Sequence, residues 1–419
     1  MAGLRKVLFI STNRYRFPPV IPLGVEYLAS SLRREGFEVQ VLDLCFSESP
    51  KSDIARAVSD FAPEAICLSI RNVDTVLWPE TEYFLPEVRD YVAYLRELTP
   101  AQIIMGGSAL SADPEAILDY VGADVAVCGD GESALAPILR EPHALSPFKG
   151  RVVVGSPSAP SALTRREKDF DYAAYVAEGG VHGFETHRGC SSSCAYCMEA
   201  KRPVAFREPR EVVAELGALV ESGFRDLHLC DSEFNEDLGY SLKFLREMAG
   251  EDLGLRWALY MKPGDSPPEL MKLLRKSGAY LITLSVDSLP RDAGYRKGIE
   301  DIVRGARDAG IRTAVDLLAG VPRESESDTS RALDLFREVR PDEVVVNTHI
   351  RLYRKLGVTR VIEADASLRK FVSGGEAGGG YLAPVFYCHL DRERLRELIG
   401  GDGLFKIAGE DKGVNYQRA

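Results

Sequence analysis

The sequence predicts two α/β units in tandem: a doubly wound parallel sheet of the flavodoxin or Rossmann-like kind, then a partial (β/α)6 barrel with a small C-terminal cap. Two observations carry this reading. Short apolar runs alternate with amphipathic stretches over the first 140 residues, and the same alternation resumes at Gly183 after a break rich in Pro, Ser and Gly. The 419 residues suffice for two or three domains with separate cores, and 45% hydrophobic with 27% charged residues is ordinary globular composition.

Taken in order, apolar runs at 6–10, 38–42, 65–70, 102–105 and 124–128 read as strands. Helical patterns lie between them at 23–35, 52–61, 86–98 and 114–121, with a further start at Glu132. Strands separated by helices form a parallel sheet covered on both faces, which binds its ligand beyond the carboxyl ends of the strands. The loops on that edge are elaborate: 13–22, 71–86, Gly106-Gly107-Ser108 and Gly129-Asp130-Gly131-Glu132. Paired glycines admit close backbone approach, and helix N-termini suit phosphate or polar groups.

Residues 1–142 form this first unit and 143–180 a connector, with one strand predicted at 151–154. The second unit, 181–350, has strands at 183–186, 226–230, 255–259, 280–286, 312–318 and 343–347. Its helices fall at 210–221, 238–248, 267–276, 299–309 and 327–339. The first shows the logic: Pro209 starts it, Val212, Val213, Leu216, Leu219 and Val220 form one stripe, and Gly223 ends it. The active face of such a barrel is the carboxyl edge of its strands. Residues 351–419 read as a cap, with a mobile loop expected at the glycines of 374–380.

The formal charge is −11, from 52 basic and 63 acidic residues spread along the chain. That argues against nucleic acid as a partner and favours a small molecule or short peptide. No apolar stretch approaches the ~20 residues needed to cross a bilayer, and the opening residues lack a signal-peptide pattern. The expectation is a cytoplasmic protein without a membrane partner, in which clustered cysteines bind metal or do chemistry.

Three of the eight cysteines, Cys190, Cys194 and Cys197, fall within eight positions after the first strand of the second unit. A structural zinc takes four protein ligands, but no fourth cysteine follows closely. An iron–sulfur cluster held by three thiolates keeps one iron open to a substrate or cofactor. The spacing Cys-x3-Cys-x2-Cys, with Tyr196 before the last cysteine, resembles the radical S-adenosylmethionine superfamily. That resemblance implies a 4Fe-4S cluster whose open iron is chelated by S-adenosylmethionine. It also implies contacts to that molecule from Tyr196, from Asp231, Ser232 and Glu233 in LCDSEFN, from Ser285 and Asp287 in SVDS, from Arg296, and from Gly320 and Val321 in LLAGVPRES.

A doubly wound domain ahead of such a barrel resembles the cobalamin-binding members of that family. The matching segments are 18–44, CLSIRN at 67–72, 103–118 and 122–135. The resemblance implies cobalamin contacts from Ser69, Arg71, Asn72, Gly106, Gly107, Ser108, Gly129, Gly131 and Glu132. The chain has no Asp-x-His-x-x-Gly loop, and its first histidine is His143, so a bound cobalt would lack a protein imidazole beneath it.

The implied function is methylation of an unactivated carbon, through a 5′-deoxyadenosyl radical and methylcobalamin, with an electron donor such as flavodoxin or ferredoxin. A radical cyclase, ring-rearranging or oxidative enzyme would use the same parts. A non-catalytic cobalamin or iron–sulfur sensor is the reading from another class. Tyr387 and Cys388 in the cap are candidate catalytic groups, although YLAPVFYCH also reads as a packed strand.

Overall fold

The computed structural model describes residues 4–141, 150–157, 166, 169–289, 292–375 and 380–410. The chain forms two compact units, one of residues 1–75 and 82–182, the other of 76–81 and 183–419. Part of the connector and most of the glycine loop at 374–380 lie outside the described residues.

The first unit is a six-stranded parallel sheet of β1 (Lys6–Ser11), β2 (Glu38–Asp43), β3 (Ala65–Ser69), β4 (Gln102–Gly106), β5 (Val125–Gly129) and β6 (Arg151–Gly155). Its order is β2-β1-β3-β4-β5-β6. The strand foreseen in the connector is thus the sheet's edge. The connector also supplies Phe170 and Tyr175 to the apolar core formed with Val7, Phe9, Val125 and Leu139. Because β2 lies on one side of β1 and β3 on the other, the chain reverses direction between β1 and β3. The crevice for a ligand opens at such a switch point.

Two glycines at this edge serve the protein's own backbone. Gly107 has φ +105°, and a Cβ there would lie 2.3 Å from the Ile70 carbonyl oxygen. Gly129, at φ +81°, would meet the Gly155 carbonyl oxygen at 2.9 Å. The close approaches expected for a ligand are here made between neighbouring strand ends, and they set the positions of the loops.

The second unit has a seven-stranded sheet. Its strands are β7 (His182–Phe184), β10 (Asp226–Leu229), β11 (Arg256–Met261), β12 (Ala279–Asp287), β13 (Arg312–Leu318), β14 (Glu343–Asn347) and β18 (Phe405–Ile407). The last comes from the region read as cap: Phe405, Lys406 and Ile407 pair in parallel with Val344, Val345 and Val346. Three residues are too few to show a period in sequence, so only the sheet context reveals them. A hairpin of β8 (His187–Cys190) and β9 (Arg202–Phe206) interrupts the βα alternation and carries the cysteines.

The rest of the cap builds a small antiparallel sheet of β15 (Ile350–Arg351), β16 (Val372–Gly374) and β17 (Val385–Tyr387). Residues 76–81 pack with this unit: the Trp78 ring lies 5.3 Å from Phe386, and His349 Nε2 sits 2.9 Å from the Val76 carbonyl oxygen. At the core's centre Trp257 is fully buried and donates its indole N–H to Ser277 O at 2.9 Å.

Replacing Gly107 by alanine should destabilise the first unit by about 2 kcal/mol or more, since a left-handed backbone and a backbone clash coincide. Urea unfolding checks this; the exposed, unobstructed Gly36→Ala serves as the milder comparison at positive φ.

Candidate active site

The cysteine loop lies within the turn of the β8–β9 hairpin. The hairpin bulges between Arg188 and Cys190, because Gly189 adopts φ +91° with its Cα against Pro203; a Cβ would lie 2.1 Å from the Pro203 carbonyl oxygen. Cys190 is buried, Cys194 partly buried and Cys197 exposed. Although Cys197 is exposed as a residue, partial desolvation pushes its thiol up, with Cys194, Glu199 and Cys190 adding to the rise and a backbone hydrogen bond at Glu199 opposing it. Among the described residues no trio of His, Cys, Asp or Glu side chains is arranged for a single metal ion. Three clustered thiols with no protein fourth ligand fit a larger iron–sulfur cluster by their donor set.

Four contacts fix the loop. Asp231, 5% exposed, accepts from Thr186 N at 2.7 Å and His187 N at 3.3 Å with Oδ1. Its Oδ2 takes the Thr186 hydroxyl and lies 3.1 Å from His187 Nδ1. Glu236 Oε1 accepts from Ser191 N at 2.9 Å. Val358 N donates to Ala195 O at 2.9 Å, where Gly357 packs against Ala195. Tyr196 donates its hydroxyl to Asp287 Oδ2 at 2.9 Å; Asp287 also accepts from Leu289 N at 3.2 Å. Burial and that carboxylate hold the Tyr196 phenol far above its ordinary range, so it stays protonated.

Glu233 has unused capacity. Its Oε2 is buried without a hydrogen-bond partner. Burial pushes its carboxyl up to about 8, against the pull of Lys262 and a hydrogen bond with Ser285, with Glu236 adding to the rise. A buried acceptor left open at the carboxyl edge of a parallel sheet is suited to a cationic or N–H-bearing ligand. Ser285, on β12, is thereby joined to Glu233 on the loop after β10. Ser232 sits partly buried between Asp231 and Glu233.

Of the remaining predicted residues, Gly320 and Val321 end β13's loop: Gly320 has φ +77° with Leu390 Cβ 3.1 Å from its Cβ position, and Val321 N donates to buried Glu324 at 2.9 Å. Arg296 is not brought to the site. It lies half exposed on helix Ala293–Ala309, paired with Glu300 at 2.8 Å and Glu338 at 2.6 Å. The sequence position after SVDS failed as a guide because the helix turns that side chain to its outer face. Tyr387 is fully buried within β17, opposite Ile350 and Val372, its hydroxyl without a partner; Cys388 Sγ lies 3.6 Å from Leu390 O.

In the first unit, Thr12 donates both its amide and its hydroxyl to Ser69 O, at 3.2 and 3.0 Å. Ser108 Oγ donates to Arg71 O at 2.6 Å, and Asn72, with its amide oriented to satisfy both groups, donates to Arg71 O at 2.9 Å and accepts from the Arg71 guanidinium at 3.1 Å. These contacts tie Arg71, Asn72 and Ser108 into one loop cluster, and anchor Thr12 on Ser69 at the strand ends. Gly106 lies in ordinary contact with Val127 O, and Gly131 and Glu132 open helix Gly131–Arg140, Gly131 against Leu28. Asn13 Nδ2, after β1, is buried without a partner, so this edge keeps a polar group for a ligand.

Residues 16–139 match the B12 binding domain and residues 184–336 the radical SAM superfamily. The chain belongs to the cobalamin-binding radical S-adenosylmethionine proteins. It is 26% identical to a tryptophan 2-C-methyltransferase of Streptomyces laurentii, over 94% of this chain and 82% of that protein. The structure of the radical S-adenosylmethionine methyltransferase TsrM from Kitasatospora setae, with cobalamin and a [4Fe-4S] cluster bound, superposes with a TM-score of 0.83 at 24% identity, covering 95% and 91% of the two chains. The cobalamin-dependent radical enzyme OxsB has the same fold at 13% identity, with a TM-score of 0.71 over 94% of this chain and 66% of that one. Among the described residues no helix is long and apolar enough to cross a membrane.

Asp231→Ala should release the strand end that leads to the cysteines. Amide exchange at Thr186 and His187 is expected to accelerate by on the order of a hundredfold, the loss of about 3 kcal/mol of buried hydrogen bonding. Exchange mass spectrometry on the chain reads this directly.

Proposed function

We propose that the chain is a cobalamin-dependent radical S-adenosylmethionine methyltransferase acting on a carbon of a small molecule, with tryptophan the first acceptor to test. The observation that carries this is similarity running through both domains, across 94% of the chain, to a protein named as a tryptophan 2-C-methyltransferase. The hairpin loop with its three thiols and one open acceptor gives that similarity a chemical basis in this chain's own residues.

When bound, the cluster supplies an electron, S-adenosylmethionine the methyl group and cobalamin a carrier for it. Cys190, Cys194 and Cys197 would hold the cluster. Glu233 Oε2 would accept from the amino group of S-adenosylmethionine, with Ser285 and Lys262 fixing the carboxylate. Tyr196 and Asp287 keep the loop against the end of β12. Ser69, Arg71 and Asn72 would face the corrin, where no histidine of residues 16–139 can reach the cobalt because that span contains none. An external reductant such as flavodoxin or ferredoxin completes the system.

The test is anaerobic. The protein is reconstituted with iron, sulfide and hydroxocobalamin, reduced, and given S-adenosylmethionine with tryptophan or a panel of small aromatic and aliphatic acceptors. Methylated product with S-adenosylhomocysteine is expected, and Cys194→Ala should lower it by more than about a hundredfold. Deoxyadenosine in step with product marks hydrogen abstraction from an unactivated carbon; product without it marks transfer to an electron-rich ring carbon. Deoxyadenosine without any methyl transfer would favour a cyclase or rearrangement, and neither nucleoside product would leave a sensor.

Binding of S-adenosylmethionine should depend on pH. The raised Glu233 carboxyl is neutral below about 8 and charged above it, so it becomes a stronger acceptor for the amino N–H groups of S-adenosylmethionine, and affinity should rise, as pH climbs from 7 to 9. Glu233→Gln should flatten that profile in equilibrium dialysis.

A further inference from the structure

One acidic side chain at the cysteine loop lies outside every motif of the sequence. The Glu236 side chain is 4% exposed. Its Oε1 takes the Ser191 amide at 2.9 Å, and its Oε2 takes the Lys262 ammonium at 2.7 Å. Lys262 is itself fixed: Asn235 Nδ2 donates to Lys262 O at 2.8 Å, and Lys262 N donates to Asn235 Oδ1 at 3.0 Å. The clamp therefore joins the turn after β10, the end of β11 and the cysteine loop.

Ser191 directly follows Cys190. Amides beside cluster thiolates commonly donate to sulfur, which favours the extra electron and raises the potential; nearby negative charge lowers it. Here the amide is turned to a carboxylate instead, so both effects run in the same direction. The Lys262 ammonium lets that carboxylate stay ionised at so buried a position.

We propose that Glu236, clamped by Lys262, is a positioning residue that keeps the Ser191 N–H from the cluster sulfurs and presents the carboxylate end of that ion pair to the loop, lowering the cluster's reduction potential. The inference rests on the cluster reading given above. A lower potential makes the reduced cluster a stronger electron donor to the sulfonium of S-adenosylmethionine.

Wild type, Glu236→Gln and Glu236→Ala are reconstituted with iron and sulfide, analysed for iron, and titrated potentiometrically with the reduced cluster followed by electron paramagnetic resonance. Glu236→Gln keeps an acceptor for Ser191 but loses the charge. It should retain wild-type iron, with a more positive midpoint and about threefold or more of the reduced-to-oxidised ratio at the wild-type midpoint poise. Glu236→Ala, which also frees the amide, should shift further. An unchanged or more negative midpoint in Glu236→Gln at equal iron would overturn the proposal, as would loss of its cluster, because the retained acceptor should suffice to hold the loop. If Glu236→Ala fails to bind iron, Glu236→Gln decides. Failure of the wild type itself to take up a cluster would sink the cluster reading, and this role with it, and is distinguished by the iron analysis alone.

Discussion

A buried carboxylate holds the site in place. Asp231 receives the two backbone amides and the hydroxyl of Thr186–His187 and faces the imidazole of His187. Without those bonds the chain leaving β7 would have buried donors and no acceptors, a cost of about 1–3 kcal/mol for each group. With them, the chain turns into the β8–β9 hairpin and presents Cys190 at its tip. Tyr240 closes the other side by donating to both Thr186 O and Arg207 O, at 3.1 and 2.8 Å. The loop between Cys190 and Arg202 is itself tied at Ser191, Ala195 and Tyr196.

The same economy of backbone governs the first unit. Its ligand edge is made by four loops whose bases are locked together through main-chain contacts: Thr12 on Ser69, Ser108 on Arg71, Gly107 against Ile70 and Gly129 against Gly155. Glycine is required there because strand ends pass within contact distance of one another. A ligand at this edge meets a preformed surface, which lowers the ordering cost of binding.

The strand and helix pattern was legible because parallel sheets have apolar runs and their covering helices have one apolar stripe. All of the strands expected before residue 350 are present, with ends differing by a residue or two. Two kinds of element escaped. The three-residue Phe405–Ile407 strand is too short for periodicity and pairs with a strand remote in sequence, and the antiparallel β8–β9 hairpin breaks the βα alternation on which the pattern rests. The cysteines announced themselves by spacing, and Glu233 by its place in LCDSEFN. Glu236 and Lys262 did not, since an acidic residue seven positions past β10 and just before a helix reads as helix-start chemistry until the Ser191 amide is seen upon it. Arg296 shows the converse: adjacency to a motif says nothing of which helix face a side chain occupies. Asp231 and Asp287, read as ligand contacts, are occupied in holding Thr186, His187 and Tyr196, so part of what looks like binding chemistry is the support for it.

The proposed function requires that a methyl group pass through a corrin held at the first unit's sheet edge, under control of a cluster held at the cysteine loop. Its most direct test uses S-adenosylmethionine labelled in the methyl group, given to anaerobically reconstituted protein without acceptor and then freed of small molecules. Label should be retained with protein-bound corrin, in step with S-adenosylhomocysteine formed. Cluster-replete protein that retains no corrin, or that holds corrin without label, would contradict it.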